Sequence, residues 1–403
     1  MTHETLAPAP LLVDPGSLVE DAHATLGALR AGHALIRLGE AQYMALRAEH
    51  VLPLLTDPRT AQIDGEAYLR LTRVPEGAVA RFLADFLLFR EGAAHRARRG
   101  LFARGFAHSA MRAARPRIRA RAEAIVAGLP RGESFDFIAQ VSGRLPAEMI
   151  ADILGLPESE VPYFAARARE MARAVSPLYP LGRHARIEEA VADMFHYIEH
   201  KLSARLAAPR EDMLSAAATE WQARGEISFA SLVHQVMGLV VGGVDTTRAG
   251  FAMLVALLLA RPDDWAALRA APELIPGAVS EGLRYDPPVG SVARVTTAEL
   301  EVGGHRLPAG VVLRVSTLSA LRDPALFAEP ERFDIRRPDH ARLHPVFGTG
   351  PHRCIGEMLA RIEMEESLAA LLEGAPGMVT ETAPRMRGFG GIREITPMTV
   401  RIR

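Results

Sequence analysis

The 403-residue chain has one cysteine, Cys354, and so can form no internal disulfide. A disulfide scaffold is excluded, and a reducing, cytoplasmic setting is expected. Neither sign of charge is in excess: 47 Lys and Arg stand against 48 Asp and Glu, a formal net charge of -1. Such balance exerts no global pull on nucleic acid or anionic lipid, so neither is an expected partner and any docking charge has to be local. Long apolar runs are missing too. The longest uncharged one, Ala249 to Ala260, is enclosed by Arg248 and Arg261 and is too short for a membrane span. Met1 to Gly16 is interrupted by Pro8, Pro10 and Pro15 and has no basic start followed by an apolar run, so no secretory signal is expected. No repeat, low-complexity block or Gly/Ser linker divides the chain, and turn pairs such as Asp57-Pro58, Leu156-Pro157 and Arg261-Pro262 are evenly spread. Residues 1–403 therefore read as one domain.

What is present is a large apolar fraction, 49%, enough for a sizeable core. From about residue 95 to 285 Ala, Leu, Arg and Glu abound, with apolar positions three or four apart, as in Ala147 to Leu154, before Gly155 ends the run. Shorter β-branched stretches lie near the ends: Ala34 to Leu38, Val292 to Thr296, Gly310 to Val315 and Thr399 to Ile402. The expected class is α+β, mainly α: a large helical domain with a small β-sheet region.

The most informative segment is Phe347-Gly348-Thr349-Gly350-Pro351-His352-Arg353-Cys354-Ile355-Gly356, followed by a helical run from Glu357 to Leu372. A glycine-rich loop here delivers a cysteine to a helix N-terminus, where unpaired N–H groups and the helix dipole favour thiolate over thiol. Glycines permit close approach to a flat ligand, and Phe347 can pack beneath it. Taken alone, a lone cysteine is more often a small buried hydrophobe.

Three further segments stand out. Glu281 and Arg284 share a helix face at three-residue spacing, which by itself describes a weak, solvated surface pair. Gly242-Gly243-Val244-Asp245-Thr246-Thr247 interrupts an apolar helical run from Leu232 to Ala260 with residues poorly suited to a helix interior. The two glycines could end one helix while Asp245 or Thr246 caps another. His95 and Arg99 are spaced to share a helix face within a basic stretch.

The ten-residue cysteine loop resembles the haem-binding loop of the cytochrome P450 family, and the other segments resemble that family's motifs in order. The resemblance runs from about residue 90 to the C-terminus and is weaker before it. It implies the cytochrome P450 fold, haem b (iron protoporphyrin IX) as cofactor, and Cys354 as the axial iron ligand. Glu281 and Arg284 would form the family's structural pair, locked to Arg337 in the segment Phe333 to Arg337. Gly242 to Thr247 resembles the oxygen-binding groove, which implies that Thr246 hydrogen-bonds bound oxygen and Asp245 relays protons. His95, Arg99, Arg294 and His352 would hold the haem propionates. One departure is Leu321, where many relatives carry asparagine.

The implied activity is that of a monooxygenase: R–H, dioxygen, two electrons and two protons give R–OH and water. No dinucleotide or flavin motif is present, so a ferredoxin-type donor with its reductase is the implied partner. Gly92 to Ala122 carries nine arginines and no acid, either a docking face for an acidic donor or an ordinary solvated face. The expected substrate is small or medium and apolar, in a pocket drawn from Phe82, Phe86, Leu87, Leu239, Val240, Gly243, Val289, Val292 and Phe389. Rival readings are a non-catalytic haem-thiolate sensor or carrier, a peroxide-driven peroxygenase, and a cofactor-free helical interaction protein.

Overall fold

The structure, a computed structural model, describes residues 9–339 and 344–403. Met1 to Pro8, part of the segment read above for a secretory signal, lie outside the described residues.

Between Gly92 and Tyr285 the chain is mostly helical, as its apolar spacing predicts. The axis of this body is the continuous helix Phe229–Leu259, started by Ser228, whose hydroxyl accepts from the Ser231 N–H. Around it pack the helices Arg144–Leu154, Val161–Ala172, His184–Ala207 and Ile275–Tyr285. The central helix is long and apolar enough to cross a membrane, but 72% of its most apolar stretch is buried against these neighbours, as in a core helix. Helix Arg144–Leu154 stops at Gly155, which takes the left-handed φ of 70° that a side chain would oppose.

The main sheet has the spatial order Leu11–Leu12, Leu35–Gly39, Gln42–Ala45, Val312–Val315, Val292–Thr296, Thr60–Gln62. Val292–Thr296 and Thr399–Ile402 have their expected bounds. The strand expected from Gly310 begins at Val312, because Gly310 occupies the preceding turn at φ 87°, its N–H donating to the Thr296 carbonyl at 2.7 Å. Thr399–Ile402 belongs to a separate sheet, between Met378–Thr382 and Ser134–Asp136. In the main sheet Val292–Thr296 pairs antiparallel with Val312–Val315, setting Arg294 opposite Leu313 and Ala293 opposite Arg314.

Glu281 and Arg284 are not a surface pair: both are fully buried, and Arg337 is 7% exposed. Arg284 donates to both Glu281 oxygens at 2.7 and 2.8 Å and to the carbonyls of Leu321, Pro330 and Arg332. Arg337 donates to the same carboxylate at 3.2 Å and to the carbonyls of Ala328, Glu329 and Arg332. The Asp334 N–H closes the network on Glu281 at 2.8 Å. An irregular segment is thus fastened to helix Ile275–Tyr285 by charge-assisted bonds. Leu321 buries its side chain against Phe327 and serves this network through its carbonyl, so the departure there leaves the bonding intact. Glu281→Ala leaves two buried guanidinium groups unbalanced and is expected to cost about 3–5 kcal/mol in equilibrium denaturation. A loss below about 1 kcal/mol would mark the pair as energetically equivalent to a surface one.

Candidate active site

The cysteine loop is shaped by two left-handed glycines, Gly348 (φ 68°) and Gly350 (φ 67°), and closed by the Cys354 N–H donating to the Phe347 carbonyl at 2.8 Å. Helix Glu357–Gly374 follows directly. The sulfur faces a cavity inside the protein, so it is open on that side while protein surrounds it. Burial pushes the Cys354 thiol up; the N–H groups of Gly356 and Glu357 and the charge of Arg99 pull it down. The donors at the helix start thus act in the expected direction, toward thiolate, and desolvation acts against them.

The cavity, about 360 Å³, is lined by Cys354, Phe347, His95, Arg99, Arg294, His352 and Thr246 together. His95, on helix Gly92–Gly100, is 2% exposed, and its Nε2 is buried with no partner among the described residues. Its ring lies 4.0 Å from that of His352. Burial, then the charges of His352 and Arg99, push His95 down to about 4. Burial also lowers His352, against the Glu91 carboxylate 3.3 Å away. Arg99 has no carboxylate partner among the described residues, and Arg294 donates only to Thr60, at 3.0 and 3.3 Å. This wall therefore has cationic donors in excess of acceptors and suits a ligand carrying carboxylates.

Across the cavity the central helix runs unbroken through Gly242 and Gly243, so the alternative of two helices meeting there does not occur. The Thr246 hydroxyl donates back to the Gly242 carbonyl at 2.7 Å, a bond that bends helices. Gly243 has a packing reason: a Cβ there would stand 2.5 Å from Cδ1 of Ile150. At Gly242 a Cβ would meet nothing within 4 Å, which leaves open space beside Thr246. Asp245 is buried but does not line the cavity; its carboxylate accepts from Arg248 at 2.9 and 2.6 Å.

Of the expected pocket residues, Phe86, Leu87, Leu239, Gly243, Val289 and Val292 line the cavity. Phe82, Val240 and Phe389 do not. Phe82 is fully buried and stacks on Phe86 at 5.3 Å. Val240 is fully buried one position on from Leu239, a turn of about 100° away from the cavity. Phe389 packs with Leu18, Leu26, Ile36 and Met44, and Gly391 and Ile392 line the cavity from that segment.

The arginine run is largely neutralised. Arg98 pairs with Asp85, Arg115 with Glu365 and Glu366, Arg117 with Asp152, Arg119 with Glu123, and Arg121 with Glu158. Arg96 and Arg112 are exposed with no ion pair among the described residues, and Arg104, its side chain 94% exposed, only nears Glu220 at 3.9 Å.

Two charged residues among those lining the cavity escape sequence reasoning, Glu363 and Arg314. Glu363, on helix Glu357–Gly374, is 2% exposed and neither carboxyl oxygen has a partner among the described residues. Burial alone raises its carboxyl well above the usual range, so it is held neutral.

The cytochrome P450 family model matches residues 170–374. The chain is 35% identical over 395 residues to the plant-inducible cytochrome P450-pinF1 of Rhizobium radiobacter, covering 98% of this chain and 93% of that protein. It is 33% identical over 360 residues to the 20-oxo-5-O-mycaminosyltylactone 23-monooxygenase of Streptomyces fradiae, covering 87% and 82%. The crystal structure of CalO2 superposes with a TM-score of 0.87 at 26% identity, over 97% of this chain and 99% of that one. The chain belongs to the cytochrome P450 family, and it is a haem-dependent oxidoreductase, a haem-thiolate monooxygenase acting on an organic substrate. The residues fit that cofactor: the inward sulfur would suit iron ligation, and the His95 Nε2, unpartnered among the described residues, with the cations beside it would suit propionates.

Glu363 also gives stability a pH dependence. In the unfolded chain an ordinary carboxyl loses its proton above about pH 4. Between there and the raised folded value the folded state holds the extra proton, so this residue's contribution falls as pH rises. Glu363→Gln is expected to lose less stability than the native chain as pH rises above the ordinary carboxylate range. Urea midpoints that run parallel for the two proteins would remove the claim that Glu363 is buried neutral.

Proposed function

We propose that residues 1–403 form one domain holding haem b and hydroxylating a small or medium apolar substrate. In this reading Cys354 would ligate the iron, Phe347 would pack against the macrocycle, and His95, Arg99, Arg294 and His352 would bind the propionates. The observation that carries it is that the sulfur, the cation-rich wall and Thr246 open on one cavity whose other walls are apolar. The bound haem supplies dioxygen activation and one-electron chemistry, with the thiolate favouring O–O cleavage.

The chain's own residues do the rest. Phe86, Leu239, Val289 and Val292 exclude water and hold an apolar body. Thr246 is the catalytic hydroxyl: its Oγ, now donating to the Gly242 carbonyl, has only to rotate to offer its proton to the cavity. Asp245 relays protons behind it: its carboxylate, turned to Arg248 at rest, leaves that pair, takes up a proton from water and passes it on. The named monooxygenase relative favours turnover over a sensor or carrier. The acid-alcohol pair Asp245-Thr246 favours dioxygen over peroxide as oxidant.

Electrons come from a ferredoxin-type donor with its reductase, in the cytoplasm. Arg96, Arg104 and Arg112 are the cations left to meet an acidic donor once the internal pairs are formed. Reversing Arg96 and Arg112 to Glu is expected to slow reduction about tenfold at low ionic strength. A rate indifferent to both salt and reversal would put the donor elsewhere.

The test of the central reading is the absorption spectrum of the reduced protein under carbon monoxide, beside Cys354→Ala and Thr246→Ala. The native protein and Thr246→Ala are expected to give the strongly red-shifted Soret band of a thiolate ligand, and Cys354→Ala to lose it. Thr246→Ala is further expected to divert electrons to hydrogen peroxide, with product per electron falling severalfold. A native protein without haem, or a band kept in Cys354→Ala, overturns the ligand assignment. Undiminished coupling removes the role of Thr246.

A further inference from the structure

One more cation reaches the cavity, away from the cluster around Cys354. Arg314, on strand Val312–Val315, is 4% exposed and lines the cavity. Among the described residues its guanidinium has no hydrogen bond and no carboxylate partner. Every other buried arginine of the described chain is bonded. Arg30, Arg322 and Arg393 donate to backbone carbonyls, Arg205 to Asp212, Arg284 and Arg337 to Glu281, and Arg294 to Thr60. Leaving a charge buried and unpaired is costly, and a guanidinium cannot escape by losing its proton.

Arg314 does not belong with the haem-facing cations. The strand register sets Arg294 opposite Leu313 and Arg314 opposite Ala293, and successive side chains point to opposite faces. The largest charges acting on His95 are those of His352, Arg99, Glu91 and Arg96, and on His352 those of Glu91, Arg294 and Arg99. The neighbour of Arg314 is Tyr68, which lies 4.5 Å from the Phe89 ring and gives its hydroxyl to the carbonyls of Ala174 and Ser176. The proton of that hydroxyl is committed to these carbonyls, and the adjoining Val175 and Pro177 line the cavity.

The geometry points to Arg314 as the anchor for a carboxylate on the substrate, whose apolar body lies along Phe86, Leu239, Val289 and Ile392. The inference rests on the cavity being the substrate pocket and narrows the substrate class from apolar to an apolar acid. A planar guanidinium matches a carboxylate with two parallel bonds, and a site built to pair a charge rejects the neutral analogue because the cation is then left unpaired.

The test uses the haem-loaded protein and the spin-state shift of its Soret band. Straight-chain acids from octanoate to hexadecanoate, and phenyl-substituted alkanoates, are titrated beside their methyl esters. The acids are expected to bind at least about tenfold tighter than their esters. Arg314→Gln should abolish that preference, weakening acids about ten- to a hundredfold. Arg314→Lys, which keeps the charge and loses the planar fork, should restore part of it. Equal affinity of acids and esters in the native protein, or equal loss of both in Arg314→Gln, overturns the anchor. Loss of haem or an altered carbonyl band in Arg314→Gln also overturns it, by assigning the guanidinium to the cofactor. If the native protein lacks the red-shifted carbonyl band, the haem-thiolate reading has failed, an outcome distinct from failure of the anchor.

Discussion

The whole arrangement depends on presenting one sulfur atom to the interior of the protein at a fixed place. Two left-handed glycines and the Cys354 N–H to Phe347 carbonyl bond give the loop its shape, but a loop cannot hold itself against a cavity. Its anchor is helix Glu357–Gly374, packed against His108–Ala127, Ile275–Tyr285 and the central helix. Helix Ile275–Tyr285 is in turn held by the Glu281, Arg284 and Arg337 network. The buried ion network and the reactive cysteine are therefore one mechanical unit, and rigidity at the sulfur is drawn from charges well away from it.

The interior is unbalanced electrically in a way an ordinary core is not. Among the described residues, Arg99 and Arg314 line the cavity without carboxylate partners, His95 keeps a buried nitrogen with no partner, and Glu363 is pressed toward the neutral form. Each lowers the stability of the chain taken by itself. Such groups persist where a ligand completes them, and their grouping divides the cavity in two. One wall, around Cys354, asks for a flat ligand with carboxylates; the other, around Arg314 and Tyr68, asks for an anionic group on whatever lies above it.

Much of the site is legible in the sequence because its parts are local. The Phe347 to Gly356 loop, the His95 and Arg99 spacing and the Gly242 to Thr247 interruption each fall within ten residues, where turn and helix geometry leave few options. The strands Val292–Thr296 and Thr399–Ile402 are legible for the same reason. Phe82, Val240 and Phe389 were misplaced because periodicity identifies a buried face without saying whether protein or empty space lies against it. Arg314 was hidden because an arginine inside Val-Leu-Arg-Val reads as the solvent side of an alternating strand. Glu363 was hidden among Glu365 and Glu366, which are ordinary ion-pair partners of the half-exposed Arg115.

By itself the sequence determined that a cysteine would sit at a helix start in a glycine-shaped loop, that the body would be helical, and that no disulfide would help hold it. These follow from backbone conformation and side-chain period, which act over a few residues. The tertiary structure alone decided that Glu281 and Arg284 are core rather than surface, that most of the arginine run is neutralised, and that Arg314 and Glu363 face the cavity. Burial and pairing are properties of segments far apart in sequence, and only packing brings a charge to an enclosed space and withholds its partner.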